Sequence, residues 1–401
     1  MSPEPMVISI PETDVLDLRG RLAATRWPVR VEGYGWDEGT DAGYLRDFVR
    51  YWAGSYDWRD REARMNAFSH HLAKVDGETV HFILAKGKGP RPVPLLLLHG
   101  WPSSFVQMLE IIPLLTAAGT DGTVAFDVIA ASLPGYPFSG QPTRPGMGFA
   151  RISDLMLRLM TGVLGYDRFA VRGSDQGGLV LRQLALRHPD RIIGLHRSGI
   201  SPFAAAMPDD LDDDEVRYRR EVALWAERET DYARLQAKRP ETLVPALTDS
   251  PVGLAGWFLE KFQRWGDCRE GLDACFGRDR LIDNLSLHWF TGSAASATRL
   301  YREAALEQDS DGRVEVPTAI MMPLHDGVTV PAPRRWCERS YDVRRWTVME
   351  RGGHFPEWEQ PALVASDIRA FFTELTTERD APRPEPTFAE TRGGPDVAPV
   401  L

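Results

Sequence analysis

The hexapeptide Gly173-Ser174-Asp175-Gln176-Gly177-Gly178 ends a short strand-like run, RFAVRGSD (168–175), and opens a segment with helical spacing at 179–188. A strand that turns sharply into a helix presents the residue at its apex, and the turn needs small residues two positions to either side. Centring on Ser174 would put Arg172 and Gln176 in those places, whereas centring on Asp175 puts Gly173 and Gly177 there. Asp175 is therefore the expected nucleophile. His99-Gly100-Trp101-Pro102 closes a second apolar run, VPLLLLHG (93–100). A turn there can aim the backbone N–H of Trp101 at an oxyanion, joined by that of Gln176.

A general base is expected at His354, on the glycine-flanked loop RGGHF (351–355) that follows RRWTVME (344–350). Asp326, just past VPTAIMMPL (316–324), is the expected acid that orients the imidazole. The order nucleophile, acid, histidine suits a strand-ordered hydrolase site. Glu350 and Glu303 are rival acids, but Glu350 lies in a strand pattern too close to His354 to reach round it, and Glu303 belongs to a different region. His325 beside Asp326 has no ligand spacing for a metal, and His70, His71, His188 and His196 read as structural. No metal or organic cofactor is expected.

An aspartate nucleophile narrows the chemistry. Serine displacing at an alkyl carbon would leave an ether, which water does not readily cleave. A carboxylate leaves an ester, whose carbonyl a His354-activated water can attack. Asp175 thus points to substitution at saturated carbon, on an epoxide or an alkyl halide. The opened epoxide is a basic alkoxide and needs a proton donor, for which Tyr218, Tyr232 and Tyr301 are available. A halide needs only hydrogen bonding, so a haloalkane dehalogenase is the alternative.

The elements that must hold these residues alternate between strand and helix. Strand-like runs at 80–87, 93–100, 126–135, 168–175, 191–199, 316–324 and 344–350 interleave with helical spacing at 152–164 and 179–188. This pattern predicts an α/β fold with a mostly parallel, doubly wound sheet. The alternation stops at 202–312, a helix-like stretch expected to cap the carboxyl ends of the strands. The expected organisation is an N-terminal extension (1–78, helix-like at 14–26 and 42–55), a core in two parts (79–201 and 313–377), the cap between them, and a Pro/Gly-rich tail (378–401).

The bulk composition excludes some partners. A net charge of -10 argues against nucleic acid or an anionic membrane. The N-terminus has no signal-like or anchoring run. Three cysteines (Cys268, Cys275, Cys337) with no metal-like pairing suit a reduced, cytoplasmic setting. Five lysines among 47 basic residues suggest a GC-rich bacterial genome.

Over roughly residues 6 to 375 the chain resembles the epoxide hydrolases of the microsomal and juvenile-hormone type. The resemblance is carried by Tyr51-Trp52 and Tyr56-Asp57-Trp58-Arg59, by HGWPSSF (99–105), SLPGYPFS (132–139), DSPVGLAGWFLEKF (249–262) and RGGHF (351–355). It implies the α/β-hydrolase fold with a helical cap after the sixth strand, and conversion of an epoxide and water to a diol. By position it places the nucleophile on Asp175, the base on His354, the acid (usually Glu) on Asp326, and the ring-opening tyrosines on Tyr232 and Tyr301. Gln176 stands where the family usually has Trp, which alters the pocket wall. Soluble relatives in antibiotic assembly suggest a bulky natural-product epoxide, and a homodimer is left open.

Overall fold

The computed structural model describes residues 2–89, 91–119, 123–200, 210–307 and 312–380. Nine strands form one sheet: β1 (Glu4–Met6), β2 (His70–Val75), β3 (Glu78–Ala85), β4 (Val93–Leu98), β5 (Phe126–Ala131), β6 (Phe169–Gly173), β7 (Ile192–Ser198), β8 (Val314–Pro323) and β9 (Tyr341–Met349). Their spatial order is β1-β2-β3-β5-β4-β6-β7-β8-β9. The β1–β2, β2–β3 and β3–β5 pairs are antiparallel and the remaining pairs are parallel. Leu95 to Leu98 are fully buried, as a central parallel strand covered on both faces requires. On β7, His196 pairs with Asp367 of the helix Pro361–Asp380, while the next residue, Arg197, reaches Gly178 in the helix Asp175–Arg187. Neighbouring side chains on one strand thus serve helices on opposite faces.

The sheet reverses its winding at β4, which has β5 on one side and β6 on the other. Leu98 pairs with Gly173, so the loops leaving β4 and β6 emerge side by side. A crevice outside the strand ends at such a switch point is where α/β sheets bind ligands. The helical insertion leaves after β7, the sixth strand once the short edge strand β1 is set aside, and returns at β8. Its described helices run from Asp213–Glu229 to Ser293–Leu306. The tail expected from 378 continues the last helix to Asp380, and its remainder lies outside the described residues.

The helical patterns at 14–26 and 42–55 correspond to helices Glu12–Ala23 and Ala42–Gly54. Strands β1 and β2 were not legible. The first is three residues long, and the second, HHLAKV, has no clean alternation. The aromatic motifs of the N-terminal region are tied to one cap helix, Arg278–Thr291. The Tyr51 hydroxyl donates to Asp279 (2.8 Å), Trp52 Nε1 to Ser286 Oγ (3.1 Å) and the Tyr56 hydroxyl to Asp283 (2.7 Å). Arg61 closes a salt bridge to Asp283 at 2.5 Å, with the carboxylate 3% exposed. Removing one partner of so buried a pair strands the other charge, so Asp283→Ala should cost about 3 kcal/mol. Chemical denaturation checks this; a loss below about 1 kcal/mol would show that the cluster does not clamp the cap. Among the described residues, no helix is long and apolar enough to cross a membrane.

Candidate active site

Asp175 opens the helix that follows β6 with φ of +50°, while Ser174 before it is extended. A non-glycine residue in the left-handed region marks a constrained turn, and the constrained residue here is the aspartate. The small neighbours are steric requirements. A Cβ on Gly177 would sit 2.5 Å from the Leu98 carbonyl oxygen, and one on Gly100 would sit 2.4 Å from Asp175 Cβ. The absence of side chains there lets the HGWP loop lie directly against the nucleophile candidate. The Trp101 amide donates to Asp175 Oδ1 at 2.8 Å. Gln176 follows in the first turn and lines the same cavity. His99 is fully buried, its Nε2 accepting from the Leu133 amide at 3.3 Å. Burial pulls its pKa down to about 4, so it is neutral.

On the other side, His354 Nε2 lies 3.4 Å from Asp175 Oδ2, and Nδ1 lies 3.1 Å from Asp326 Oδ1. Asp326 is itself held by the Val328 amide (2.8 Å) and the Thr329 hydroxyl (3.2 Å). Burial lowers the pKa of His354, but the Asp326 and Asp175 carboxylates more than offset it and raise it to about 10. The rival acids are elsewhere. Glu350 is exposed, and Glu303 accepts from the Gly146 amide. His325 is exposed, and no metal-ligand cluster occurs among the described residues.

The cap supplies the two tyrosines opposite. Tyr232 and Tyr301 both line a cavity of about 230 Å³ that also contains Asp175, Gln176, Asp326 and His354. Their hydroxyls interact with each other. Burial first, then the surrounding acidic groups including Asp175, push both above the ordinary tyrosine range, so both carry their protons at neutral pH. The Tyr232 ring stacks on Trp101, centroids 5.5 Å apart at 10°. Tyr218 does not line this cavity; it packs edge-on against Trp336.

Several supports were not legible in the sequence. Glu359 accepts from the backbone amides of Gly353 (2.7 Å), Phe355 (2.9 Å) and Asp267 (2.8 Å), fixing the loop that carries His354. Arg172, just before the turn, and Glu357, just after His354, form a fully buried ion pair at 2.7 Å. Glu357 also accepts from Gln107 at 2.7 Å, and Gln107 is bonded to Ser103 of the HGWPSSF loop. Lys261 Nζ lies 4.8 Å from the Tyr232 ring centroid, a cation–π contact that braces that ring. Local sequence gives no cue to these contacts, because most join residues far apart in the chain, and the Glu359 bonds to Gly353 and Phe355 depend on how the loop turns into the following helix.

The arrangement joins an aspartate in a strained turn, an amide donor on its carboxylate, a carboxylate-oriented histidine and two protonated phenols. The same chain matches the family described as epoxide hydrolase N terminus over residues 3–108 and the alpha/beta hydrolase fold family over 93–237. A Stigmatella aurantiaca protein assigned as an epoxide hydrolase is 38% identical, with 92% of this chain and 85% of that protein covered. The juvenile hormone epoxide hydrolase of Bombyx mori is 34% identical, over 91% of this chain and 85% of its own. The chain belongs to the epoxide hydrolase family. The crystal structure of the Bombyx mori juvenile hormone epoxide hydrolase superimposes with a TM-score of 0.84, covering 94% of this chain and 95% of that one. The Aspergillus niger epoxide hydrolase structure gives 0.81 at 27% identity, covering 94% and 97%. This member of the epoxide hydrolase family is accordingly a hydrolase on the α/β-hydrolase fold, with the helical cap after β7.

Proposed function

We propose that the chain converts an epoxide and water to a vicinal diol through a covalent ester on Asp175. The observation that carries this reading is the pair of protonated phenols, Tyr232 and Tyr301, on the wall facing the Asp175 carboxylate. Asp175 attacks an epoxide carbon as one tyrosine hydroxyl donates its proton to the ring oxygen. The ester forms, the C–O bond of the ring breaks, and the phenol regains its proton in the next half-reaction. Water activated by His354 then attacks the ester carbonyl. The Trp101 amide, already 2.8 Å from Oδ1, and the Gln176 amide hold the oxyanion, and collapse releases the diol and Asp175. Asp326 keeps the imidazole oriented and stabilises its charged form.

This reading takes 202–312 as the cap that supplies the phenols, 1–78 as the extension that clamps it, and 79–201 with 313–377 as the core that supplies the triad. The three free thiols suit a reducing, cytoplasmic setting. The cavity, about 230 Å³, is below the roughly 300–1,000 Å³ common for drug-sized ligands. That favours a small epoxide, or the epoxide end of a larger one, over a whole natural-product framework.

Tyr232→Phe and Tyr301→Phe separate this reading from haloalkane dehalogenation. Either substitution should lower kcat/KM for an epoxide by about 10- to 100-fold, and the double substitution further. Halide release from a haloalkane, if the protein catalysed it, would be untouched. Full epoxide turnover by the double variant would refute the proposed donors, and turnover of haloalkanes alone would make the protein a dehalogenase.

A further inference from the structure

Among the described residues, two buried side-chain nitrogens on the wall of the Asp175 cavity lack a well-formed hydrogen bond: His354 Nε2, which lies 3.4 Å from Asp175 Oδ2 as an ion pair, and Gln176 Nε2, which has no partner. The first faces the nucleophile and the attacking water. The second has no part in that chemistry. Gln176 is 3% exposed, and its carbonyl oxygen accepts from the Tyr136 hydroxyl at 2.7 Å. Tyr136 is fully buried and does not line the cavity. It therefore occupies the acceptor end of the amide from behind the wall and leaves both N–H donors unused. Buried donors are nearly always satisfied, and an unmatched one loses its hydration without return.

We propose that the Gln176 side-chain amide is a specificity determinant that donates a hydrogen bond to an oxygen on the substrate, an ether, carbonyl or hydroxyl next to the epoxide ring. The inference rests on the epoxide-hydrolysing reading above and names the substrate class: oxygen-substituted epoxides rather than purely hydrocarbon ones. Gln176 directly follows the nucleophile, so an acceptor one or two bonds from the attacked carbon lies within reach of its side chain. In the orientation observed, the Tyr136 hydroxyl donates to Oε1 and holds the amide with Nε2 free before substrate arrives. A site built to donate rejects the analogue lacking an acceptor more strongly than an apolar wall distinguishes one methylene.

The test compares matched epoxide pairs differing at one position: butyl glycidyl ether against epoxyoctane, and an epoxy ketone against its methylene counterpart. The electronic effect of the oxygen on ring opening is common to every enzyme form, so the change in ratio between forms carries the result. In the wild type, kcat/KM should favour the oxygenated member of each pair by about tenfold over the ratio in Gln176→Met. Tyr136→Phe keeps the glutamine but frees the amide to turn, and should narrow the ratio as well. Ratios that both variants leave unchanged would overturn the proposal. If no member of either pair is turned over, and none forms an adduct on His354→Gln enzyme, the failure is that of epoxide hydrolysis itself.

Discussion

Asp175→Ala should reduce diol formation to the uncatalysed rate, a loss of about 10⁴-fold or more. The size of the effect follows from what the side chain supplies. Without the carboxylate there is no ester, and His354 would have to drive water directly at an epoxide carbon from a position set for an ester carbonyl. The Trp101 amide would lose its acceptor and the His354 imidazolium one of its two anionic neighbours. Ser174 cannot take over, because it lies in extended backbone before the apex. The check is steady-state diol formation, with circular dichroism to confirm that the variant is folded. Retention of more than about 1% of wild-type activity would remove Asp175 as the nucleophile.

His354→Gln should separate the two half-reactions. The ester still forms, but its hydrolysis slows by about 10²- to 10⁴-fold, so turnover stalls after one equivalent. Intact-mass measurement should show the protein heavier by one whole epoxide, and the adduct should be lost when Asp175→Ala is combined with it. An adduct of an alkyl group, with halide released, would redirect the assignment to haloalkanes. The pH dependence has a definite sign. In the free enzyme burial pulls the His354 pKa down, and the Asp326 and Asp175 carboxylates raise it to about 10, so the imidazole is protonated at neutral pH. Esterification removes the Asp175 charge and with it part of the upward push. His354 should then release its proton at lower pH than in the free enzyme and become available as a base. Single-turnover ester decay in the wild type should rise with pH through a midpoint below 10. A flat profile would exclude His354 as the base.

The residues able to do chemistry were legible because the constraints on them are local. Of Ser174 and Asp175, only Asp175 has glycines two positions to either side, and a Cβ on Gly177 would strike the Leu98 carbonyl. His354 and Asp326 follow strand-like runs whose alternation with helices announces the parallel sheet. The continuous apolar run of β4 marks a strand buried on both faces. In each case a few neighbouring residues carry the whole signal, through the turn they permit or the period they repeat.

What the sequence by itself determined, then, was the fold class, the position of the turn and the chain order of Asp175, Asp326 and His354, the residues proposed as nucleophile, acid and base. The tertiary structure decided which groups face one another. Tyr218, Tyr232 and Tyr301 are alike as text, yet Tyr232 and Tyr301 enter the cavity while Tyr218 packs on Trp336. Glu359 holding the His354 loop, the buried Arg172–Glu357 pair, Lys261 over Tyr232 and the unmatched amide of Gln176 also belong to this class. The physical reason is common to all of them. A side chain's partner across the core depends on helix phase, strand order and the path of distant loops, and a burial that leaves a donor unpaired exists only once those loops have closed around it.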